Sequence, residues 1–366
     1  SLSQEDPHAK AVPFMMSGGT DAKAFEGMGI DCFGFAPLRL PPDLDFTALL
    51  ESRGYTVLRG PSDHDLAALA PLLAQTDAWI AGTGPVRAEH LAAAPGLRVV
   101  ARYGVGYEAV DVDAATARGI HVTNTPGANS DAVADHTIGL MLAALRFTVD
   151  GDRRVRQGDW AARRGRELGT ATVGIIGFGR IGQAVARRLS GFEARVYASD
   201  PFMTPEQISA LGAVPSSPDE IARECDIVTL HAPGGRTLAD AAWVASARPG
   251  MLLVNTARPD LVDEAVLAAA LRSGGLGGYA ADTLNGDTAG SRDSPLLATD
   301  LADRVVVTPH LGAQTVQAVD NMGRIAVQNA LAVLEGVAPP NPVNSVPVGT
   351  PEPPASANAP SKEQRS

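Results

Sequence analysis

Gly177-Phe178-Gly179-Arg180-Ile181-Gly182 constrains this chain more than any other feature, because of what flanks it. The apolar run Val173-Gly174-Ile175-Ile176 before it reads as a buried parallel strand. The stretch Gln183 to Leu189 after it reads as a helix. A second apolar run, Val196-Tyr197-Ala198, ends in Ser199-Asp200. Strand, glycine turn, helix, strand, acid is the order that binds a dinucleotide. Gly177 permits the tight turn, Gly179 lets the pyrophosphate approach the backbone, and Gly182 lets the helix pack on the strand. The free N–H groups at the helix start, at Arg180 and Ile181, favour the phosphate charge. Asp200 stands near the usual spacing of about 20 residues for the acid that accepts from the ribose hydroxyls. A carboxylate there repels a 2′-phosphate, so the expected cofactor is NAD, not NADP.

At 366 residues the chain is long enough for two domains with cores. Hydrophobic residues make up 45% and charged residues 19%, an ordinary globular composition. The net charge of −11 argues against nucleic acid or an anionic membrane as partner. Cys32 and Cys225 are the two cysteines, in no metal or redox spacing, and read as buried thiols of a reducing compartment. No transmembrane span or signal peptide is apparent, so the cytoplasm is the expected location.

From about Leu49 the chain alternates strand-like and helix-like segments, which predicts a parallel α/β architecture. Strands are expected at 55–58, 78–81, 97–101, 173–176, 195–199, 226–230, 251–255, 278–281 and 304–308. Asn129 to Leu145 reads as a long helix, capped by Asn129 or Ser130, and Gln314 to Leu334 as a final one. After it come Pro339, Pro340, Pro342, Pro347, Pro351, Pro353, Pro354 and Pro360, which predict a disordered tail over 338–366.

Four further motifs follow one another in order. They are Arg102-Tyr103-Gly104-Val105-Gly106 with Val110-Asp111; Asn124-Thr125-Pro126-Gly127-Ala128-Asn129 running into Ala132-Val133-Ala134-Asp135; Val254-Asn255-Thr256-Ala257-Arg258 with Leu261-Val262-Asp263-Glu264; and Val307-Thr308-Pro309-His310-Leu311-Gly312-Ala313. With the glycine turn they resemble the D-isomer-specific 2-hydroxyacid dehydrogenases, the group that includes phosphoglycerate dehydrogenases, over roughly residues 49 to 345. The resemblance implies two Rossmann-like αβα domains with parallel sheets. A discontinuous substrate domain would take 48–128 and 312–337, and an NAD-binding domain 129–311. Substrate would sit in the cleft between them.

The implied chemistry is oxidation of a 2-hydroxy acid to its 2-oxo acid. The hydroxyl proton needs a base with a pKa near neutrality, which suits histidine. The resemblance gives that role to His310. It gives the carboxylate and carbonyl to Arg258, whose planar fork matches a carboxylate. Backbone amides of Gly104, Val105 and Gly106 would bind the same carboxylate. Family members carry a glutamate behind the histidine; without a gap Asp287 falls there, one methylene shorter. Asp282 matches an aspartate beside the nicotinamide. His231-Ala232-Pro233, Thr256, Ala257 and Gly312 match further cofactor contacts. No metal site is expected.

Some positions depart from the family pattern. Pro259 follows Arg258 where glycine is usual. Phosphoglycerate dehydrogenases have an arginine after the strand ending Trp79-Ile80, where this chain has Ala81-Gly82-Thr83-Gly84. Arg102 is kept and is positioned in sequence to meet an anionic tail, so one phosphate ligand of two is missing. Residues 1–47 are atypical. Ser17 to Phe25 and Cys32 to Leu38 resemble the carboxy-terminal part of zinc aminoacylase/carboxypeptidase-type peptidases, but no zinc-ligand spacing accompanies them. Two readings stand for this segment: it replaces the usual first strand through residues 30–35, or it dangles. By resemblance the Asn129 helix and the stretch before Gly177 support a homodimer. A catalytically weak NAD-binding sensor or scaffold is the competing reading.

Overall fold

In the computed structural model, which describes residues 10–13, 46–286 and 293–347, short apolar runs become strands, and every strand ladder is parallel. The chain divides into two compact units, Ser1–Pro126 with Met322–Ser366, and Gly127–Asn321.

In the first unit β1 (Lys10–Pro13) pairs with β2 (Tyr55–Leu58), Lys10 opposite Tyr55. Residues 30–35, which fill that place on one of the two readings, lie outside the described residues, as do Cys32 and the peptidase-like segments. β3 (Ala78–Ala81), β4 (Val99–Arg102) and β5 (His121–Thr123) form a second sheet in that order. β3 and β4 are buried along their whole length, the pattern of a parallel sheet covered on both faces. Asp65 starts the helix Leu66–Leu73 by accepting from the Ala68 amide at 3.0 Å. Leu69 and Leu73 of that helix cluster with Trp79, Val100 and Val122. Burying each such side chain contributes roughly 1.5–3 kcal/mol.

Residues 338–347, expected within the disordered tail, include a paired stretch. Pro342 bridges Thr123 in antiparallel sense, and the Val343 amide donates to Val122 O at 2.7 Å. Asn344 Oδ1 accepts from the Val122 amide at 2.7 Å. Proline cannot donate to a ladder, but the Val343 amide and the Asn344 side-chain carbonyl oxygen pair with β5, Asn344 Nδ2 donates to Ile120 O just before it, and the Asn341 amide donates to Asn329 Oδ1 of the helix Val316–Leu334. Residues 348–366 lie outside the described residues.

In the second unit β6 (Thr172–Ile176), β7 (Arg195–Ser199), β8 (Val214–Pro215), β9 (Ile227–Leu230), β10 (Met251–Asn255), β11 (Leu276–Ala281) and β12 (Val305–Val307) form one seven-stranded sheet. Its order is β12-β11-β10-β9-β6-β7-β8. The order reverses between β6 and β9, and ligands of such sheets bind outside the carboxyl ends at that reversal. The helix Ser130–Leu145 packs Ala134, Ile138 and Met141 into a cluster with Ala184 and Val185 of the helix Arg180–Ser190. Asn129 stands at the N-cap of the first of these helices, but its side chain makes no capping bond. Cys225 is fully buried, and burial pushes its thiol pKa up to about 12, so it is inert. Among the described residues no single helix is long and apolar enough to cross a membrane.

Candidate active site

The carboxyl ends of β6, β9, β10, β11 and β12 carry the residues that the motifs single out in the second unit. At the end of β6 the glycines are dictated by space. Gly177 has φ +93, and a Cβ there would come within 2.5 Å of the His231 carbonyl carbon. A Cβ on Gly182 would collide with the Gly177 carbonyl oxygen. Gly179 caps the helix Arg180–Ser190 with no side-chain bond, and its Cβ direction is open. The first N–H groups of that helix, from Arg180 and Ile181 on, have no partner inside it. An open approach to free amides at a positive helix end is what a pyrophosphate requires.

Asp200 follows β7. Its Oδ2 accepts from the Phe178 amide at 2.7 Å and its Oδ1 from the Phe202 amide at 2.9 Å. The carboxylate is thereby fixed beside the glycine turn, with lone pairs left for ribose hydroxyls. These residues fit NAD. Asp200→Ser is expected to weaken NADH binding about tenfold and to narrow the gap to NADPH. Fluorescence titration with both nucleotides checks this; an unchanged ratio would contradict the role given to Asp200.

His231 N–H donates to Ile176 O at 2.8 Å, and its Nε2 meets Thr229 Oγ1 at 3.0 Å. Burial pushes its imidazole pKa down to about 3, so it is neutral. Ala232 and Pro233 continue past the end of β9. After β10, Thr256 meets the hydroxyl of Thr137 at 2.9 Å. Asn255, fully buried, braces the next turn from both sides. Its Oδ1 accepts from the Ala257 amide at 3.0 Å, and its Nδ2 donates to Arg258 O at 2.9 Å. Arg258 therefore leaves from a fixed backbone, with Nη1 donating to Ala257 O at 3.0 Å. Pro259 opens a single 3₁₀ turn, Pro259–Leu261, beyond it.

His310 is exposed and stands just beyond β12. Its φ is +58, a conformation costing roughly 1–3 kcal/mol outside glycine that persists only when its surroundings over-determine it. Asp282, at the end of β11, supplies the constraint. The His310 amide donates to the Asp282 carbonyl at 3.0 Å. The Asp282 carboxylate accepts from Thr308 Oγ1 at 2.5 Å and from the Leu311 and Gly312 amides at 2.8 and 2.7 Å. His136 Nε2, from the helix Ser130–Leu145, lies 3.1 Å from the same carboxylate. A Cβ on Gly312 would come within 2.9 Å of Asp282 Oδ2, which accounts for the glycine. Burial alone would raise the Asp282 pKa, but these four donors outweigh it and hold the carboxyl below its ordinary value. Expected from sequence as a cofactor contact, Asp282 is only 3% exposed, and its carboxylate is turned onto the loop that carries His310.

Asp287 lies outside the described residues. Just before it, Glu264, 6% exposed, accepts from the Asn285 amide at 2.7 Å and holds the start of that segment. His136, Asn255 and Glu264 were not among the site residues expected from sequence. Among the described residues no group of His, Cys, Asp and Glu is placed to hold a metal.

In the first unit, the loop expected from sequence to bind the carboxylate follows β4. Gly104 has φ +143. The Gly104 and Val105 carbonyls are taken by the Thr125 amide at 3.1 Å and Asn124 Nδ2 at 2.8 Å. The Val105 and Gly106 amides make no hydrogen bond among the described residues. Arg102 is not displayed as an anion ligand. It is 7% exposed, and its Nη1 donates to the Ala81 and Tyr103 carbonyls, both at 3.1 Å. Through Nη1 the arginine ties Ala81, the last residue of β3, to the end of β4.

A family model for the NAD binding domain of D-isomer specific 2-hydroxyacid dehydrogenases matches residues 138–312. The chain is 40% identical over 291 residues to D-3-phosphoglycerate dehydrogenase of Mycobacterium leprae, covering 78% of this chain and 54% of that one. It is 37% identical over 265 residues to glyoxylate reductase of Pyrococcus furiosus, covering 69% and 77%. A crystal structure of the TT0316 protein from Thermus thermophilus superposes with a TM-score of 0.75 at 33% identity, over 91% of this chain and all of that one. A GxGxxG turn at the reversal of a parallel sheet defines the class as a Rossmann-type NAD-binding protein. Within that class, the chain belongs to the D-isomer specific 2-hydroxyacid dehydrogenase family. It spans about half the length of the phosphoglycerate dehydrogenases it matches.

Proposed function

We propose that the protein is an NAD-dependent oxidoreductase that interconverts a D-2-hydroxy acid and its 2-oxo acid. The loop that Asp282 pins in place, presenting His310 in a left-handed backbone conformation, carries this reading. When bound, NAD supplies the hydride acceptor. His310 takes the hydroxyl proton as the C2–H bond breaks and returns it to the carbonyl oxygen in the reverse direction. Arg258 binds the substrate carboxylate and stabilises the negative charge that develops on the carbonyl oxygen. The family resemblance assigns the orienting of the imidazole, and the stabilising of its charged form, to Asp287.

The buried, backbone-bonded Arg102 favours a small 2-oxo acid without a phosphate. The experiment is oxidation of NADH by the purified protein against glyoxylate, pyruvate, hydroxypyruvate and phosphohydroxypyruvate. Turnover is expected with the first three and least with the last. Tight NADH binding without turnover would favour a sensor or scaffold.

A homodimer in the second unit completes the proposal. The helix Thr148–Arg156 and the segment after it leave Val149, Val155 and Trp160 exposed, Trp160 by 79%. A cavity of about 280 Å³, lined in part by Leu145, Phe147, Val149 and Val305, lies beside them. Apolar groups of this size exposed together mark an association surface. Sedimentation equilibrium tests it.

A further inference from the structure

We propose that His136 is a positioning residue for His310, acting through Asp282 and Thr308. The inference rests on the reading of His310 as the acid/base. His136 projects from the helix Ser130–Leu145, and its side chain is 22% exposed. Its Nε2 lies 2.8 Å from Thr308 Oγ1 and 3.1 Å from Asp282 Oδ1.

The direction of these bonds follows from counting protons. Thr308 has one hydroxyl proton, and Asp282 Oδ1 at 2.5 Å is a far better acceptor for it than Ala281 O at 3.4 Å. Thr308 Oγ1 therefore meets His136 as an acceptor. The carboxylate is also an acceptor only. Both bonds require a proton on Nε2, which the neutral Nε2–H tautomer already provides.

Asp282 and Thr308 both sit at strand ends, and the loop they hold continues through Pro309 to Gly312. The amides of Leu311 and Gly312 and the carbonyl side of the His310 turn depend on where the Asp282 carboxylate points. Three donors share Oδ1, and His136 alone among them comes from outside that loop. It ties the loop to the helix Ser130–Leu145, the longest helix contained in the second unit. Without it Oδ1 would follow the loop instead of fixing it, and the left-handed backbone at His310 would lose its external restraint.

The test compares His136→Ala with His136→Gln, whose amide nitrogen reaches about as far as Nε2 and donates to both acceptors. Turnover of the preferred 2-oxo acid should fall about 10- to 100-fold in kcat for His136→Ala, the cost of displacing a reacting group by ~1 Å. KM for NADH should stay within about twofold, since the glycine turn is untouched. His136→Gln should recover kcat to within about threefold. Hydrogen exchange of the Leu311 and Gly312 amides, measured on the protein without nucleotide, should quicken about tenfold in His136→Ala and slow again in His136→Gln. Unchanged exchange in His136→Ala overturns the inference, whatever the activity. So does a parallel loss of NADH affinity and kcat, which would mark a fold-wide defect. If the unmodified protein reduces no 2-oxo acid, the functional reading fails, and exchange still decides whether His136 holds the loop.

Discussion

Replacing His310 by asparagine should lower kcat about 10²–10⁴-fold while leaving NADH affinity within about twofold. Asparagine is the informative choice. The residue at 310 sits at φ +58, and asparagine tolerates the left-handed region better than other non-glycine residues. The loop geometry is then preserved and only the proton carrier is removed. On the proposed function Arg258 would still bind the substrate carboxylate, so KM for the oxo acid should change far less than kcat. Stopped-flow NADH binding and steady-state turnover on the same preparation separate the two effects. Retained turnover in His310→Asn would contradict the role given to the histidine.

The second large effect is expected at Asp282. Asp282→Ala strands the Leu311 and Gly312 amides, the Thr308 hydroxyl and His136 Nε2 in a site that is 3% exposed. Breaking a buried network of this kind costs about 3–5 kcal/mol. Denaturant unfolding gives the value directly. The effect should depend on pH with a defined sign. The folded-state pKa of Asp282 is depressed below the ordinary 3.8, because its four donors outweigh desolvation. Its contribution is therefore complete above about pH 5 and is lost as the pH falls through 3.8 toward the lower folded value. The stability gap between the unmodified protein and Asp282→Ala should narrow over that acid range and stay constant between pH 6 and 8. A gap that widened on acidification would contradict the assignment of Asp282 as a buried, ionised acceptor.

The glycine turn was legible in the sequence because each glycine answers a local demand. Gly177 and Gly182 are required by backbone atoms that lie close by in the same βαβ unit or at the end of the adjoining strand. The long apolar strands were legible for a similar reason, since a strand covered on both faces reads as a continuous run. β5 escaped because three residues, His121-Val122-Thr123, carry no periodicity. The pairing of 341–344 escaped because asparagine side chains secure it, not an apolar pattern. His310 and Arg258 were singled out through their motifs, and Asp282 as a cofactor contact, but the hydrogen bonds that hold the His310 loop were not legible. His136 and Asp282 are 146 residues apart in the chain, and nothing around Ala134-Asp135-His136 announces that this imidazole faces a strand end. Arg102 shows the same limit. Its motif suggested a ligand, while the carbonyls it holds become visible only when β3 and β4 lie side by side.

The central claim is direct hydride transfer between the nucleotide and C2 of the acid. The most direct measurement is reduction of glyoxylate and pyruvate with NADH carrying deuterium at both C4 positions of the nicotinamide, followed by mass and chiral analysis of the hydroxy acid. Deuterium at C2, in lactate of D configuration when pyruvate is the substrate, is the predicted result. An acid without deuterium, or L-lactate, would contradict it.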